Sequence, residues 1–458
     1  MTFDESPTCR AYVAANARSA AHQARARERI PTGASRALLR HPPFPFYTAS
    51  TSGVYATDLD GNRRIDFHNN YTALIHGHGH PVVMEAVQRQ LMAGTTYSSP
   101  GAQELALAEL LCARIPSVEQ VVFNNSGTEA VMVAIRAARA YTGRHRIGKF
   151  EGAYHGAYDF VMVGGGQLPA VDDPVRLTRP VPDLGGLPPA ATDDVVLIRY
   201  NDADAVREAV RLHGDSLAAI LVEPILGAGG VIPAEREFLA VLREETARAG
   251  IVLICDEVVS LRQAVGGAQS SYGLEPDLTT MAKIIGGGFP SGAVGGRHEF
   301  MRVFDDTDVR GTVANLGTFS ANPMSACAGF ATLQLLDAAA IARLNALGDY
   351  ARAGLREVLA RHGAAAQVSG AGSLFQVHWT RAPLRDARAV QTADATLNTL
   401  MFLGLCNRGI QISKRGIGAL STPMTETHVD ALTAALDDTL RALAAEGWAI
   451  AQDRGGAA

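Results

Sequence analysis

Two acidic residues and one lysine lie at positions where the sequence pattern indicates a functional site. The segment 251–259, IVLICDEVV, is an apolar strand that runs into Asp256 and Glu257. In a parallel sheet the carboxyl ends of the strands open into the ligand crevice, so charge at this point indicates a functional site. Lys283 follows another apolar run and precedes three glycines, a setting in which a desolvated lysine can form a Schiff base. The two acids could instead cap the next helix, and the sequence leaves this alternative open.

Lysine is rare in this chain, so few residues could supply an amine that forms a Schiff base. Of 41 lysine and arginine residues, only three are lysines: Lys149, Lys283 and Lys414. The surroundings of Lys283 make it the clear choice among the three.

A phosphate site is predicted at the start of a helix. The segment 121–141, VVFNNSGTEAVMVAIRAARAY, is typical of a strand, a turn and then an amphipathic helix. Ser126, Gly127 and Thr128 would place hydroxyls and free backbone N–H groups at the helix N-terminus, which favours an anion. Ser126 and Glu129 also match a capping box, and both interpretations can hold together.

Two further segments complete a set of groups that one cofactor would use. KFEGAYHGAYD (149–159) places Tyr154 and His155 between glycines, so that an aromatic ring could approach a planar ligand. Thr318, in GTFSANP (317–323), offers another hydroxyl. Pyridoxal phosphate (PLP) requires a lysine imine, an anion cradle and an acid beside its ring nitrogen, and it would use this whole set.

The elements that must position these residues alternate along the middle of the chain. Short β-branched runs at 121–123, 219–222 and 251–255 alternate with helical periods, such as 129–141 and 235–249. Such alternation predicts an α/β fold with a mainly parallel sheet and helices on both of its faces.

The two ends of the chain have a different pattern. Residues 10–29 predict a helix, 51–68 a hairpin that turns at Asp60-Gly61-Asn62, and 427–446 a last helix before a loose tail, QDRGGAA. The segment 164–195 is rich in Gly, Pro and Asp and is expected to be a surface excursion. We therefore expect a large domain and a smaller α+β domain built from both termini. The expected bounds are 1–75 for the N-terminal part of the small domain, 76–330 for the large domain and 331–458 for the C-terminal part of the small domain.

Composition narrows the classes of partner. A hydrophobic fraction of 47% excludes a disordered chain. The net charge of −5 and the pI near 6.2, with no basic run, disfavour a nucleic-acid or membrane surface. The five cysteines are dispersed and the N-terminus lacks the apolar run of a signal peptide, so a cytoplasmic protein with reduced thiols is expected.

Six motifs together resemble the class III aminotransferase group of fold-type I PLP enzymes: NSGTEA, KFEGAYHG, VEPILG, LICDEVV, AKIIGGGFPSGAVGG and GTFSANP. By motif the chain is most similar to glutamate-1-semialdehyde aminomutases and β-amino acid aminotransferases. The resemblance implies PLP as the cofactor and a homodimer with its active sites at the subunit interface. It implies that Lys283 forms the Schiff base and that Asp256 pairs with the ring nitrogen. The other cofactor-binding residues that it implies are Val258 and Tyr154 against the ring faces, Ser126, Gly127 and Thr128 at the phosphate, Thr318 from the neighbouring subunit, and His155 and Glu223 near the cofactor.

The same resemblance suggests how substrates bind. ASRALLRHPPFPF (34–46) is similar to the segment by which β-amino acid aminotransferases bring an arginine, here Arg36, to the substrate carboxylate. SKRGIGALSTP (413–423) is similar to the segment whose arginine, here Arg415, binds a carboxylate of the keto-acid acceptor. The planar fork of arginine suits a carboxylate. The resemblance also implies that Tyr71 lies in an aromatic region of the substrate site, where Asn69 and Asn70 stand at positions that vary among relatives and leave the side-chain preference open. The alternation His76, His78, His80 could indicate a metal, but HGHP is a usual turn of the family, and no metal is expected.

The resemblance therefore implies transamination from an amino acid, here a β-amino acid, to a keto acid such as 2-oxoglutarate. A glutamate-1-semialdehyde aminomutase, which needs no acceptor, remains an alternative, although SKRGIGALS departs from the C-terminal segment of aminomutases. A racemase or epimerase on the same fold is a further alternative. A non-catalytic protein of this fold would typically have lost the lysine, and Lys283 is present.

Overall fold

The computed structural model describes residues 2–307 and 313–451. Its α-helices are α1 Pro7–Ala15, α2 Ala17–Arg27, α3 Asn69–Thr72, α4 Pro81–Ala93, α5 Ala102–Arg114, α6 Gly127–Thr142, α7 Ala190–Asp193, α8 Ala203–His213, α9 Arg236–Ala249, α10 Gly267–Tyr272, α11 His298–Met301, α12 Pro323–Leu335, α13 Ala338–Arg361, α14 Ala387–Gln391, α15 Ala395–Cys406 and α16 Glu426–Ala445.

Its strands are β1 Thr48–Ser52, β2 Tyr55–Asp58, β3 Arg63–Asp66, β4 Gln120–Asn124, β5 Arg146–Phe150, β6 Leu177–Thr178, β7 Val195–Ile198, β8 Leu217–Val222, β9 Ile225–Leu226, β10 Ile232–Pro233, β11 Val252–Asp256, β12 Leu278–Ala282, β13 Gly292–Gly296, β14 Gln367–Ser369, β15 Leu374–His378, β16 Ile410–Gln411 and β17 Ile417–Ala419.

An eight-stranded sheet forms the centre of the molecule, in the order β4-β13-β12-β11-β8-β5-β7-β6. The pairs from β12 through β7 are parallel, and only β13 and β6 run against the common direction. The prediction of a mainly parallel α/β sheet is therefore confirmed.

Helices cover both faces of this sheet, which explains why β8 is buried at every position. Ala219 and Leu221 pack in the cluster that contains the buried face of α6, whereas Ile220 and Val222 pack in the cluster of α8 and α9. A strand buried on both faces reads as a continuous apolar run, as this one does.

The chain termini meet in the remaining part of the fold. The hairpin of β2 and β3 forms as predicted, and β16 from the C-terminal part pairs in parallel with β3, with Ile410 opposite Ile65. A second sheet, β14-β15-β17, contacts α13, which in turn packs against α16. The domain bounds at residues 75 and 330 remain a prediction.

Three local expectations need adjustment. The helix predicted at 10–29 is two helices, because the chain leaves helical geometry at Asn16. The helix predicted to begin at 129 begins at Gly127, since Ser126 is its N-cap. The excursion at 164–195 contains only β6 and α7, and the predicted tail lies outside the described residues.

A test for membrane spans gives a limited result. In the described ranges no single helix is both long and apolar enough to cross a membrane. The pair α12 and α13, bent by 76°, meets the length and composition criteria only when taken together.

Candidate active site

Strand ends bring the predicted residues to one edge of the large sheet. Asp256 is the last residue of β11, Lys283 follows β12, and Glu223 follows β8. Ser126 comes two residues after β4, which runs in the same direction. Because these strands all end on one side, residues far apart in sequence line a single crevice.

The carboxylate of Asp256 is buried and oriented by two contacts. Its Oδ2 lies 2.7 Å from Nδ1 of His155, and its Oδ1 accepts a hydrogen bond from the amide of Val258 at 3.0 Å. The side chain is only 3% exposed. Each carboxylate oxygen can accept more than one hydrogen bond, so Asp256 retains capacity to accept a hydrogen bond from a ligand.

Glu257, the adjacent acid, has the capping contacts that the sequence left open for both residues. Its Oε1 accepts a hydrogen bond from the amide of Gln269 in α10 at 2.7 Å, and its other oxygen accepts one from the hydroxyl of Ser260. The two carboxylates therefore face different surroundings, and Asp256 is the one that faces His155.

Lys283 is held in an uncommon backbone conformation at the base of the crevice. Its φ is 52°, in the left-handed region that residues with a Cβ rarely adopt. Burial lowers the pKa of its amine; the carboxylates of Asp256 and Glu223 oppose that shift, and Arg36 adds to it. The glycines that follow allow close packing, since a Cβ on Gly287 would lie 2.3 Å from the carbonyl of Ala328 in α12.

The other two lysines are engaged elsewhere. Lys149 is fully buried, and its Nζ donates to the carbonyls of Ala153, Val161 and Val163 at 2.8–2.9 Å. Lys414 donates to the carbonyl of Arg40 at 2.7 Å. In the described part of the chain, Lys283 alone among the lysines has an amine without a hydrogen-bond acceptor.

The start of α6 combines a helix cap with an open anion cradle. Ser126 Oγ accepts a hydrogen bond from the amide of Glu129 at 3.2 Å, and Glu129 Oε2 accepts one from the amide of Asn125 at 2.6 Å. The amides of Gly127 and Thr128 lie in the first turn, where no intrahelical acceptor exists. Both interpretations of this segment are therefore compatible with the structure.

Val258 and Tyr154 border the same crevice. A Cβ on Gly127 would lie 3.2 Å from Val258 Cγ2, so any side chain at this position would crowd Val258. The ring of Tyr154 is 48% exposed, while its amide donates to Glu223 Oε1 at 3.0 Å. An exposed aromatic ring beside a buried carboxylate network is suited to cover a planar ligand.

Glu223 is the buried carboxylate that binds the Tyr154 amide. Its Oε2 accepts a hydrogen bond from the amide of Gly227 at 2.9 Å. Burial raises the pKa of the Glu223 carboxyl to about 7; His155 opposes the rise and Asp256 contributes to it. Glu223 thus holds the Tyr154 segment by accepting a hydrogen bond from the Tyr154 amide.

Thr318 occupies a different position from the other candidates. It is exposed on a loop whose Asn315 hydrogen-bonds Asn124 at 3.0 Å. Among the described residues, no hydrogen bond joins Thr318 to the start of α6.

The three candidates for substrate binding converge near the mouth of the crevice. The Cζ of Arg36 lies 6.0 Å from the centroid of the Tyr71 ring. Burial raises the pKa of the Tyr71 hydroxyl, and the positive charges of Arg415 and Arg36 both oppose that rise. The Arg36 charge also lowers the pKa of the Lys283 amine, so Arg36 acts on both Tyr71 and Lys283.

Two of the three histidines of the 76–80 run hydrogen-bond to protein groups, whereas Nδ1 of His80 is buried without a partner among the described residues. His76 contacts the Thr422 hydroxyl and the Thr332 carbonyl at 2.8 and 3.0 Å, and His78 Nε2 lies 2.8 Å from Asp66 Oδ2. Within the described residues, no group of three or more metal-binding side chains occurs.

Comparison with known proteins agrees with this geometry. Residues 39–416 match the family described as aminotransferase class-III. The chain belongs to the class III aminotransferase family. It is 40% identical to glutamate-1-semialdehyde 2,1-aminomutase of Methanothermobacter thermautotrophicus, over 92% of this chain and 98% of that protein. It is 37% identical to β-phenylalanine transaminase of Variovorax paradoxus, over 89% of each. An ω-transaminase structure from Sphaerobacter thermophilus superposes with a TM-score of 0.88 at 47% identity, covering 92% of this chain and 97% of that one.

This class III aminotransferase is a PLP-dependent transaminase of fold-type I. Its own residues fit the cofactor. Nε2 of His155 is buried without a partner in the described chain, and Asp256 beside it has remaining acceptor capacity. The amides that begin α6 fit a phosphate, and the Lys283 amine is available for a covalent bond.

The contacts of two further residues of this class III enzyme were not predicted from the sequence. Asn70 Oδ1 accepts a hydrogen bond from Arg36 Nη1 at 2.6 Å, and Arg262 is a fully buried cation whose Nη1 donates to the carbonyl of Thr72 at 3.2 Å. One signal for Arg262 was available, because it is the only charged residue in the segment 258–274. The contact of Asn70 joins two distant segments and has no local pattern.

Proposed function

We propose that this transaminase takes an amino group from a β-amino acid and passes it to a keto acid such as 2-oxoglutarate. The observation that carries the proposal is the convergence of Arg36 and Arg415 on Tyr71, with the Arg36 charge also acting on Lys283. The donor and the acceptor bind in turn, and 2-oxoglutarate carries two carboxylates. Two arginines at the mouth of the crevice are suited to bind these carboxylates, because guanidinium groups pair with carboxylates through two parallel hydrogen bonds.

The reaction needs a base at the amine-bearing carbon and a fixed acid at the cofactor ring. PLP, when bound, supplies a carbonyl group for the amine and a ring that withdraws electrons from the bond being broken. The lowered pKa of Lys283 favours a neutral amine that can take the proton from the substrate carbon and return it. Asp256, fixed by His155, would stabilise a protonated ring nitrogen by direct Coulomb attraction.

The remaining groups would hold the cofactor in place. Ser126, Gly127 and Thr128 would bind its phosphate through hydroxyl and amide groups at the start of α6. Tyr154 and Val258 would cover the two faces of its ring, with Glu223 holding the Tyr154 amide.

The proposal includes a homodimer in which the partner subunit's Thr318 reaches the phosphate. Its support is an exposed apolar surface around this residue: Leu316 is 87% exposed and Phe319 is 58% exposed. Large exposed apolar patches mark interaction sites. The five cysteines are free thiols, which favours a reducing compartment and hence the cytoplasm.

An aminomutase that shifts the amine within one substrate is the second candidate. It is supported by the 40% identity to the glutamate-1-semialdehyde 2,1-aminomutase of Methanothermobacter thermautotrophicus. Such an enzyme needs no keto-acid acceptor, and the second arginine at the mouth therefore favours the transaminase.

Glutamate formation separates these two functions. Purified holoenzyme would be incubated with 2-oxoglutarate and a panel of β-amino acids, α-amino acids and simple amines. We expect glutamate from the β-amino acids at the highest kcat/KM. Glutamate from none of the donors, together with conversion of glutamate 1-semialdehyde, would refute the proposal in favour of the aminomutase.

A further inference from the structure

A stretch of left-handed backbone forms one wall of the substrate site. Its four residues are those of α3, which is not a right-handed helical turn, because each has a positive φ: Asn69 (46°), Asn70 (50°), Tyr71 (52°) and Thr72 (73°). We call Asn69–Thr72 the wall turn. L-residues other than asparagine rarely enter this region, and a β-branched residue such as Thr72 is an outlier there. Strain of this kind persists only where the surroundings impose it, and it clusters at functional sites.

The first half of the wall turn is held by neighbouring side chains and backbone. Asp66 Oδ1 accepts hydrogen bonds from the amides of His68 and Asn69 at 2.8 and 3.0 Å. Asn69 Nδ2 donates to the carbonyl of Ala419 at 2.8 Å. These contacts fix the entry to the turn.

The second half is held by Arg262. Its Nη1 donates to the carbonyl of Thr72 at 3.2 Å, and its Nε donates to the hydroxyl of Ser373 at 2.8 Å. The remaining Nη2 donates to the carbonyl of Leu420. One guanidinium therefore connects the wall turn to two C-terminal segments and to the loop that follows Asp256.

The surroundings of Arg262 are costly for a cation. Its side chain is fully buried, its hydrogen-bond acceptors are neutral, and no carboxylate contacts it in the described part of the chain. Burial lowers its pKa to about 9. A buried charge without a counter-ion is unfavourable, so packing alone does not account for arginine here.

The conformation of the wall turn determines what faces Arg36. Asn70 Oδ1 accepts a hydrogen bond from Arg36 Nη1 at 2.6 Å, and the Tyr71 ring lies beside the same guanidinium. The Tyr71 hydroxyl donates to the carbonyl of Leu38, on the segment that carries Arg36, at 3.1 Å. The wall turn thus fixes the Arg36 segment at two points.

We propose that Arg262 is a positioning residue of the donor site: it holds the wall turn, and through Asn70 and Tyr71 it fixes the Arg36 guanidinium that receives the donor carboxylate. This inference rests on the proposed function, in which Arg36 binds the donor. Arg262 touches neither the substrate nor the cofactor in this scheme.

The test measures donor and acceptor KM separately in the holoenzyme, with the most active β-amino acid of the panel and 2-oxoglutarate. We expect Arg262→Met to raise the donor KM roughly tenfold, as expected for the loss of about 1.4 kcal/mol of binding. The 2-oxoglutarate KM and the cofactor absorbance should stay within about twofold. Arg262→Lys keeps a cation that can donate, and it should recover part of the loss.

Two variants at Asn70 keep the test decisive if Arg262→Met does not fold. Asn70→Gly tolerates the left-handed backbone but removes the hydrogen bond to Arg36, and it should raise the donor KM roughly threefold to tenfold. Asn70→Asp retains an acceptor and adds a negative charge beside Arg36, so it should also weaken donor binding. An unchanged donor KM in Asn70→Gly would overturn the inference.

The variant Arg36→Ala separates the proposed donor site at Arg36 from the proposed positioning role of Arg262. If Arg262 acts through Arg36, adding Arg262→Met to Arg36→Ala should raise the donor KM no further. Additive increases in the donor KM, or equal increases in the donor KM and the acceptor KM, would overturn the positioning role. If Arg36→Ala itself leaves the donor KM unchanged, the proposed donor site is wrong, and the inference that rests on it fails with it.

Discussion

Lys149 and Lys283 both lie in apolar surroundings, but only Lys149 has its ammonium saturated by backbone carbonyls. Lys149 donates to three carbonyls at 2.8–2.9 Å, and burial lowers its pKa to about 8. Lys283 has no such acceptor, and the charges around it are those of Asp256, Glu223 and Arg36. The same residue type is therefore a hydrogen-bonded structural cation at one site and, in the proposed function, the reactive amine at the other.

Replacement of Lys283 should abolish turnover. In Lys283→Ala the amine that moves the substrate proton is absent, and kcat should fall by at least about a thousandfold. Lys414→Gln is the matched control and should retain kcat within a few-fold. Glutamate release in single-turnover and steady-state assays would measure both, and full activity in Lys283→Ala would refute the assignment.

Replacement of Lys149 should destabilise the protein without removing the chemistry. Lys149→Met leaves three buried carbonyls without a donor, and the free energy of unfolding should fall by about 3 kcal/mol. These carbonyls belong to the segment 153–163, so PLP affinity should also weaken through Tyr154 and His155. Urea unfolding and cofactor titration would measure the two effects. An unchanged midpoint would show that the three contacts contribute nothing.

Arg415 should affect one half-reaction only. In Arg415→Ala we expect the KM for 2-oxoglutarate to rise by roughly tenfold to a hundredfold, because a charge-assisted carboxylate contact is lost. The donor half-reaction, followed by stopped-flow absorbance in the absence of acceptor, should keep its rate. Equal effects on both half-reactions would contradict the separate roles of Arg415 and Arg36.

Glu223 should make the stability of the cofactor-free protein depend on pH. Its folded pKa of about 7 lies above the ordinary value of 4.5, so between these pH values the native state binds more protons than the unfolded state. Stability should therefore decrease as the pH rises from about 4.5 to 7, by up to about 3 kcal/mol. Glu223→Gln should lose this slope, whatever its stability at any one pH. Parallel slopes for the two proteins in urea unfolding would refute the prediction.

The proposed subunit interface predicts the effect of one surface charge. Phe319→Glu introduces a carboxylate into the exposed apolar surface beside Thr318, and it should shift a dimer toward monomers. Light scattering after size-exclusion chromatography would measure the mass. Tyr350→Glu, at an exposed residue on α13, is the control and should leave the mass unchanged. A monomeric wild-type protein would rule out the shared phosphate site.

Much of the sheet and the cofactor crevice could be predicted, because their signals are local. Three local patterns each mark the end of a strand: the apolar run that ends in Asp256, the lysine that precedes glycines, and the strand–turn–helix at Ser126. Each pattern lies within a few adjacent residues of the sequence. The wall turn could not be predicted, since its left-handed conformation opposes the preferences of Tyr71 and Thr72 and depends on Arg262, far along the chain. Likewise, only the folded structure shows that Asp256 and Glu257 point to different partners.

The wall turn also imposes an order on how the enzyme is completed during its synthesis. Ser126, Glu223, Asp256 and Lys283 lie at or just after the ends of strands that precede residue 297, so these candidate cofactor-binding residues leave the ribosome before the C-terminal part of the fold. The turn at Asn69–Thr72 is made earlier still, but Ala419, which binds Asn69, and Leu420, which binds Arg262, emerge long after Lys283. A nascent chain therefore carries the groups that would bind the cofactor before it can fix the turn that contacts Arg36.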